Sequence, residues 1–442
     1  MPYDLSVHAD IEQASTLPSA FYKDAGIFNQ AREKVFARSW QFVGDTEAVK
    51  VPGAVWPFTL LEGFLDEPMV MTRDMDDEVH LLSNVCTHRG MQVAEGAGNE
   101  RFLRCRYHGR RFGLDGCFQQ MPEFSGVSGF PSKADDLPKV PHGFWSKFAF
   151  ASVTPSMSFE DVLTPVIDRV GWLPLHEFAA APARSRDYLV RANWALYVDN
   201  YLEGFHIPFI HASLNETLDY GNYTTEHFRW GNLQLAVAKS GDDVFDLPVA
   251  SSDYGKAISA YYFWLFPNTM LNFYPWGLSV NVVKPLSPEL TKVSFIQWVW
   301  DERKLDRGAG SELDRVERED EAVVELVQKG VRSRFYDKGR YSPSREQNVW
   351  QFHRLLAEAL EYTLGPSNRV YSNCERTSAD SRRPGTQQKR SSGAERARGP
   401  AARKRHHPET GCARRRTRSG QLGLRPHEAQ MGRGGGDARR GL

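Results

Sequence analysis

The 442-residue sequence has no run of the roughly 18 apolar residues that a membrane-spanning helix needs, so no bilayer span is expected. Its opening stretch, MPYDLSVHADIEQ, carries acids and lacks a basic start followed by an apolar core, so no secretory leader is expected there. Five cysteines are too few for a disulfide framework. They fit a reducing, cytoplasmic setting, where retained cysteines serve as ligands or redox groups. There is no internal repeat and no Gly-rich strand–turn–helix of the nucleotide-binding kind. A nicotinamide cofactor would therefore have to act through another protein.

Excess charge of one sign is also missing, but only in the total. The formal net charge is zero, yet from Arg369 onward there are 19 Lys/Arg against 6 Asp/Glu. The remainder is acidic by the same margin, so an acidic body is joined to a basic tail. The tail is rich in Arg, Gly, Pro, Ser and Ala and poor in large apolar residues. It cannot bury enough surface to offset its ordering entropy, and residues 367–442 are expected to be disordered. Its Arg clusters lack the aromatic residues that stack on bases, so nucleic-acid binding is not the favoured reading.

The rest divides by pattern. Residues 1–40 read as helical. Residues 41–155 alternate short β-type runs (AVWPFTLL, PMVMTRD, VHLLSNV, FWSKFAFASV) with Gly, Pro and Asp turns, as a small β domain does. Residues 156–366 mix long strands, such as AYYFWLFPNTMLNFYPWG and KVSFIQWVW, with amphipathic helices.

Two chemical clusters stand out. Cys86, His88, Cys105 and His108 form C-x-H-x16-C-x2-H. Thiolate and imidazole suit zinc or an iron–sulfur cluster. Zinc fingers keep like ligands together, whereas here each loop offers one Cys and one His. In a two-iron cluster the cysteines can hold one iron and the histidines the other, and neutral imidazoles raise the potential. Gly90 and Gly109 suit tight loops close to such a group. Further on, ANWALYVDNYLEGFHIPFIH carries His206 and His211. Five residues of ideal helix set two rings about 140° apart, so they can share a ligand only if the helix breaks. Pro208, between them, supplies a reason for a break. In SELDRVEREDEAVVELVQKGV, Leu313, Val316, Val323, Val324, Val327 and Val331 are expected to form one face. Asp320 falls on that face, while Glu317, Glu319 and Glu321 turn away from its centre. A carboxylate facing a core needs a cation beside it, and Fe(II) would be one. Two histidines and a carboxylate form the facial triad of non-haem iron oxygenases.

Together, the Cys/His motif, D-N-Y-L-E-x-x-H-x4-H, and Glu319-Asp320 upstream of Gln328 and Gly330 resemble the oxygenase (alpha) component of the Rieske non-haem iron oxygenases. The resemblance covers about residues 20–366. It implies an α+β fold, with a Rieske-type small β domain inserted in a helix-grip, star-related lipid-transfer-like catalytic domain. It implies a [2Fe–2S] cluster on Cys86, His88, Cys105 and His108, and a mononuclear Fe(II) on His206, His211 and Asp320. It also implies a homotrimer in which one subunit's cluster feeds its neighbour's iron. Glu203, three residues before His206, would link that histidine to a cluster histidine, His108, of the neighbouring subunit. Most ring-hydroxylating dioxygenases have Asp there. Glu, with LFPNTMLNFYPWG and YDKGRYSPSREQNVWQFHRLL, is similar to the choline, carnitine and betaine monooxygenase branch. Asn200 either lines the iron pocket or serves in capping or packing. The resemblance thus implies an O₂-dependent hydroxylation of a small substrate, drawing electrons from NAD(P)H through a separate reductase. The substrate expected is a quaternary ammonium compound; the alternatives are an arene, giving cis-dihydrodiols, and a plain electron carrier.

Overall fold

The computed structural model describes residues 3–211, 224–238, 243–307 and 313–361. The basic tail, 367–442, lies outside the described residues. The expected helical start is shorter than the sequence pattern implied. Residues 3–18 run as irregular chain with one isolated bridge, Ser15 to Arg340, and α1 covers only Ala25–Lys34. Asp24 caps it by accepting from the Ile27 N–H. After a short 3₁₀ turn the chain enters a strand at Gln41.

Residues 41–151 build three small antiparallel sheets. Their first and last strands, Gln41–Asp45 and Phe148–Ala151, pair with Gln41 opposite Ala151. The chain therefore leaves the rest of the fold and returns to it at one place, as an inserted unit does. Its own core joins Val55, Val70, Leu82, Leu103, Phe112 and Leu114 to Cys86 and Cys105.

Beyond it, α2 (Phe159–Val170) leads to an eight-stranded antiparallel sheet. Its central strands are Gly231–Val237, Ile258–Leu265, Thr269–Tyr274, Gly277–Ser287 and Leu290–Val299. Alternation decides what each face does. Leu278, Val280, Val282, Met270, Phe273 and Phe263 enter the main core. Register aligns Gln234 with Tyr262, Tyr262 with Asn272, and Asn281 with Phe295. These five line a cavity. Over that cavity lie α3 (Trp194–Tyr201), the one-turn α4 (Ile207–Ile210) and α5 (Leu313–Val331). The last helix, α6 (Gln347–Glu361), packs against α1, where Lys34 donates to the Leu360 carbonyl at 2.6 Å. Among the described residues no helix is long and apolar enough to cross a membrane.

Candidate metal centres

Two loops of one design carry the first cluster. In each, a buried Cys is followed by a His and then by a glycine with positive φ, +72° at Gly90 and +74° at Gly109. Each glycine N–H donates to the carbonyl of the Cys four residues earlier, Cys86 or Cys105, at 3.0 Å. The His88 and His108 rings approach to 4.7 Å between centroids. Burial pushes the Cys86 thiol up, with Cys105 beside it. Burial also holds His88 below its ordinary value, helped by His108, Arg89 and Arg110. Its buried Nδ1 finds no hydrogen-bond partner among the described residues. Two adjacent thiols, two facing imidazoles and an orphaned ring nitrogen fit a two-iron cluster.

The loops are tied from outside. Arg110 is 2 % exposed and donates from Nη2 to Asp135 Oδ1 at 2.6 Å. The Asp135 carbonyl accepts from Thr87 Oγ1, between Cys86 and His88, at 2.8 Å.

The second centre lies under α5. Ligand atoms of His206, His211 and Asp320 all fall within 4.8 Å of one another. Asp320 Oδ1 is 3.0 Å from His211 Nε2 and 3.4 Å from His206 Nε2. The helix break that these histidines need occurs before His206, where α3 has ended and residues 202–205 turn. His206 and His211 then flank α4 as its N- and C-caps, and Pro208 sits in the first turn, where no N–H is required. Pro208 thus starts the second helix instead of breaking the first. Burial works to lower the His206 value, but hydrogen bonds and charges from Asp320 and Glu203 raise it to about 9. Asp320 is depressed despite its burial, because both imidazoles donate to it. With no metal bound, protons on the rings balance the acid; a divalent cation fits the same three groups.

Both outer ring nitrogens meet carboxylates. His206 Nδ1 is 2.7 Å from Glu203 Oε1, and His211 Nδ1 is 2.8 Å from Glu319 Oε2. Glu203 Oε2 also accepts from the His206 N–H at 3.0 Å. Asn200 lines the cavity and donates Nδ2 to Asp320 Oδ1 at 2.6 Å. The cap of α3 is Asn193, so capping is not the role of Asn200.

Two sequence expectations about α5 require correction. Glu319 reaches His211, and Glu317 is 4 % exposed and lines the cavity. The buried stripe is Glu317, Val324, Gln328 and Val331, whereas Val327 is 43 % exposed. Polar partners on α3 explain the offset. Tyr197 donates to Glu317 at 2.7 Å, and Gln328 accepts from the Asn193 N–H at 2.8 Å. Burial, with Asp320 alongside, pushes the Glu317 carboxyl well above the usual carboxylate range.

The chain's likenesses follow this geometry. Residues 39–131 match the Rieske [2Fe-2S] domain family, and residues 175–362 match the family described as ring hydroxylating alpha subunit (catalytic domain). The chain is 31 % identical to a chloroplastic choline monooxygenase of Arabidopsis thaliana over 369 residues, 79 % of this chain and 84 % of that protein. It belongs to the Rieske non-haem iron oxygenases. A carnitine monooxygenase oxygenase subunit of Escherichia coli is 29 % identical over 80 % of this chain and 96 % of its own. Among solved structures, a quaternary ammonium Rieske monooxygenase superposes with TM-score 0.66 at 23 % identity, covering 81 % of this chain and 99 % of that one. A naphthalene 1,2-dioxygenase from Rhodococcus sp. gives 0.63 at 19 %, covering 78 % and 94 %. These two establish the fold. As a member of this family the protein is an oxidoreductase that incorporates O₂, with a Rieske cluster and a mononuclear iron as cofactors and electrons supplied by a reductase.

Proposed function

We propose that this oxygenase acts on a small quaternary ammonium compound, by monooxygenation or N-demethylation. Cys86, His88, Cys105 and His108 hold the cluster; His206, His211 and Asp320 hold the ferrous ion. When bound, the cluster supplies single electrons and the iron supplies O₂ activation. Glu203 and Glu319 keep the two imidazoles turned with Nε2 inward. Asn200 fixes one oxygen of Asp320.

The lining of the cavity carries the substrate reading. The cavity is about 120 Å³, bounded by Tyr197, Tyr201, Tyr262, Tyr274 and Phe295 and by the acids Glu203, Glu317 and Asp320. Among the described residues, no Lys or Arg lines it. Aromatic faces attract an ammonium head group, and the Asp320 carboxylate, whose value is lowered by the two imidazoles, adds negative charge beside them, whereas the raised Glu317 carboxyl does not; an arene would gain nothing from that charge. Of the aromatic wall in the sequence, Tyr262 and Tyr274 reach this cavity, while Tyr261, Phe263, Trp264, Phe266 and Phe273 fill the core.

The balance of the reaction is that of a monooxygenase. A substrate C–H, O₂, two electrons and two protons give C–OH and water. Where the hydroxylated carbon is an N-methyl, the C–N bond then breaks, the nitrogen keeps the pair, and formaldehyde and a proton leave.

Electrons reach the iron in a homotrimer, with Glu203 spanning from His206 to His108 of the neighbouring subunit. Cys86 and Cys105 remain reduced in a cytoplasmic setting. The test is oxygen uptake by the iron-loaded protein with a reductase and NAD(P)H, offered choline, carnitine, glycine betaine and naphthalene. Quaternary amines are expected to stimulate uptake, with one hydroxylated or demethylated product per O₂. Stimulation by naphthalene alone, with diol formation, would transfer the chain to the ring-dihydroxylating reading.

A further inference from the structure

Arg110 is a charge without an evident structural need. It is 2 % exposed, and its Nε has no hydrogen-bond partner among the described residues. Its guanidinium lies 5.0 Å from the Phe118 ring centroid, 5.6 Å from Phe130 and 5.7 Å from Phe112. One carboxylate answers it, Asp135, whose side chain is 19 % exposed. A buried ion pair of this kind contributes little net stability over a well-packed apolar side chain, because desolvation offsets the attraction.

What the guanidinium adjoins is the cluster pocket. It follows His108 by two residues, and its own carbonyl accepts from the Cys105 N–H at 2.9 Å. Its partner Asp135 holds the opposite loop through Thr87. Arg110 Nη2 also donates, at 3.2 Å, to the same Asp135 carbonyl that accepts from Thr87 Oγ1, which sets the positive charge beside the Cys86–His88 loop. Asp135 is further anchored by the Ser132 N–H at 2.7 Å and Ser132 Oγ at 3.0 Å, on its solvent side. The guanidinium supplies a delocalised positive charge on a planar fork of donors.

We propose that Arg110 is a positioning and tuning residue for the Rieske cluster, its buried charge raising the reduction potential while its bond to Asp135 clamps the two ligand loops. Reduction adds one electron to the cluster, and a cation held in a poorly screened pocket stabilises the reduced form. Asp135 opposes it, from a more exposed and better screened position. The proposal rests on the cluster assignment alone and stands whatever the substrate is.

The test is a redox titration of the full-length holoenzyme at fixed neutral pH, followed by the EPR signal of the reduced cluster. Arg110→Met is expected to make reduction about tenfold less favourable, about 59 mV for a one-electron couple, with an unchanged Rieske signature. Arg110→Lys keeps the charge and is expected to stay close to wild type, and Asp135→Asn to shift upward. Equal potentials for wild type and Arg110→Met would overturn the proposal, as would Arg110→Lys falling as far as Arg110→Met. If Arg110→Met does not assemble a cluster, the other two decide. Asp135→Asn above wild type with Arg110→Lys at wild type supports the tuning charge; Asp135→Asn at or below wild type refutes it. If the EPR signature shows the cluster ligands themselves to be wrong, the underlying assignment fails first, and that failure is distinguishable from an unshifted potential.

Discussion

At the proposed iron site, each imidazole of His206 and His211 is held between two acids. Asp320 takes the inner nitrogens, while Glu203 and Glu319 take the outer ones. Outer carboxylates fix ring orientation and raise ligand basicity, and losing one typically weakens metal binding by about 10–100-fold. Glu319→Ala is therefore expected to lose iron about that much more readily while the cluster EPR signal stays intact, as measured by iron retention during dialysis against a chelator. The same geometry makes the metal-free protein sensitive to pH. His206 is raised to about 9, so its protonated form stabilises the fold. That contribution is complete below the unfolded value of about 6.5 and is lost as pH rises through about 9. The melting temperature of the iron-free protein should fall across this window. Asp320→Asn, which removes the main partner, should flatten the slope, and ferrous iron should abolish it by replacing the ring protons.

At the scale of loops and helices, the two glycines show how local geometry serves a site. Gly90 and Gly109 adopt φ of +72° and +74°, which lets each N–H turn back onto the carbonyl of its cysteine. An Ala Cβ at Gly109 would meet Pro122 Cγ at an ordinary 3.4 Å, so the cost is conformational and not steric crowding. Gly109→Ala should destabilise the loop by about 1–2 kcal/mol and reduce cluster content, read from visible absorbance per chain. These loops were legible in sequence because spacing and glycine are local signals, and Cys86, His88, Cys105 and His108 do converge. The α5 helix was legible only in part. Apolar periodicity pointed to Asp320, which does lie beside His206 and His211, but that stripe was centred wrongly. A stripe drawn from valines cannot anticipate that Tyr197 and Asn193 of α3 offer polar partners that bury Glu317 and Gln328. Nor does sequence spacing show that Glu319, beside Asp320, swings to His211 Nδ1. Residues that work across elements need the tertiary contact before they can be read.

For the molecule as a whole, the question is which part of the chain the chemistry needs. The cluster loops, the iron triad, the cavity and the cores that support them all lie within residues 3–361. The strands at Gln41–Asp45 and Phe148–Ala151 close the inserted unit by pairing with each other, Phe42 and Phe148 pack on Trp298 of the catalytic sheet, and α6 closes the fold by packing on α1. All of these elements lie among the described residues, upstream of the basic stretch beyond Pro366, which holds 19 Lys/Arg against 6 Asp/Glu from Arg369 onward. Removing it turns a chain of formal charge zero into a strongly acidic one, which changes solubility and retention on charged matrices but not a buried site. A chain ending at Pro366 is therefore expected to bind about three irons, two in the cluster and one under α5, and to match the full chain in oxygen uptake per iron. It should also leave an anion exchanger at higher salt. Both chains are to be compared by iron analysis, EPR and substrate-stimulated oxygen uptake. Two irons per chain, with no substrate-dependent uptake in either, would leave an electron carrier in place of an oxygenase. A loss of iron in the truncated chain alone would show that the tail supports the catalytic unit after all.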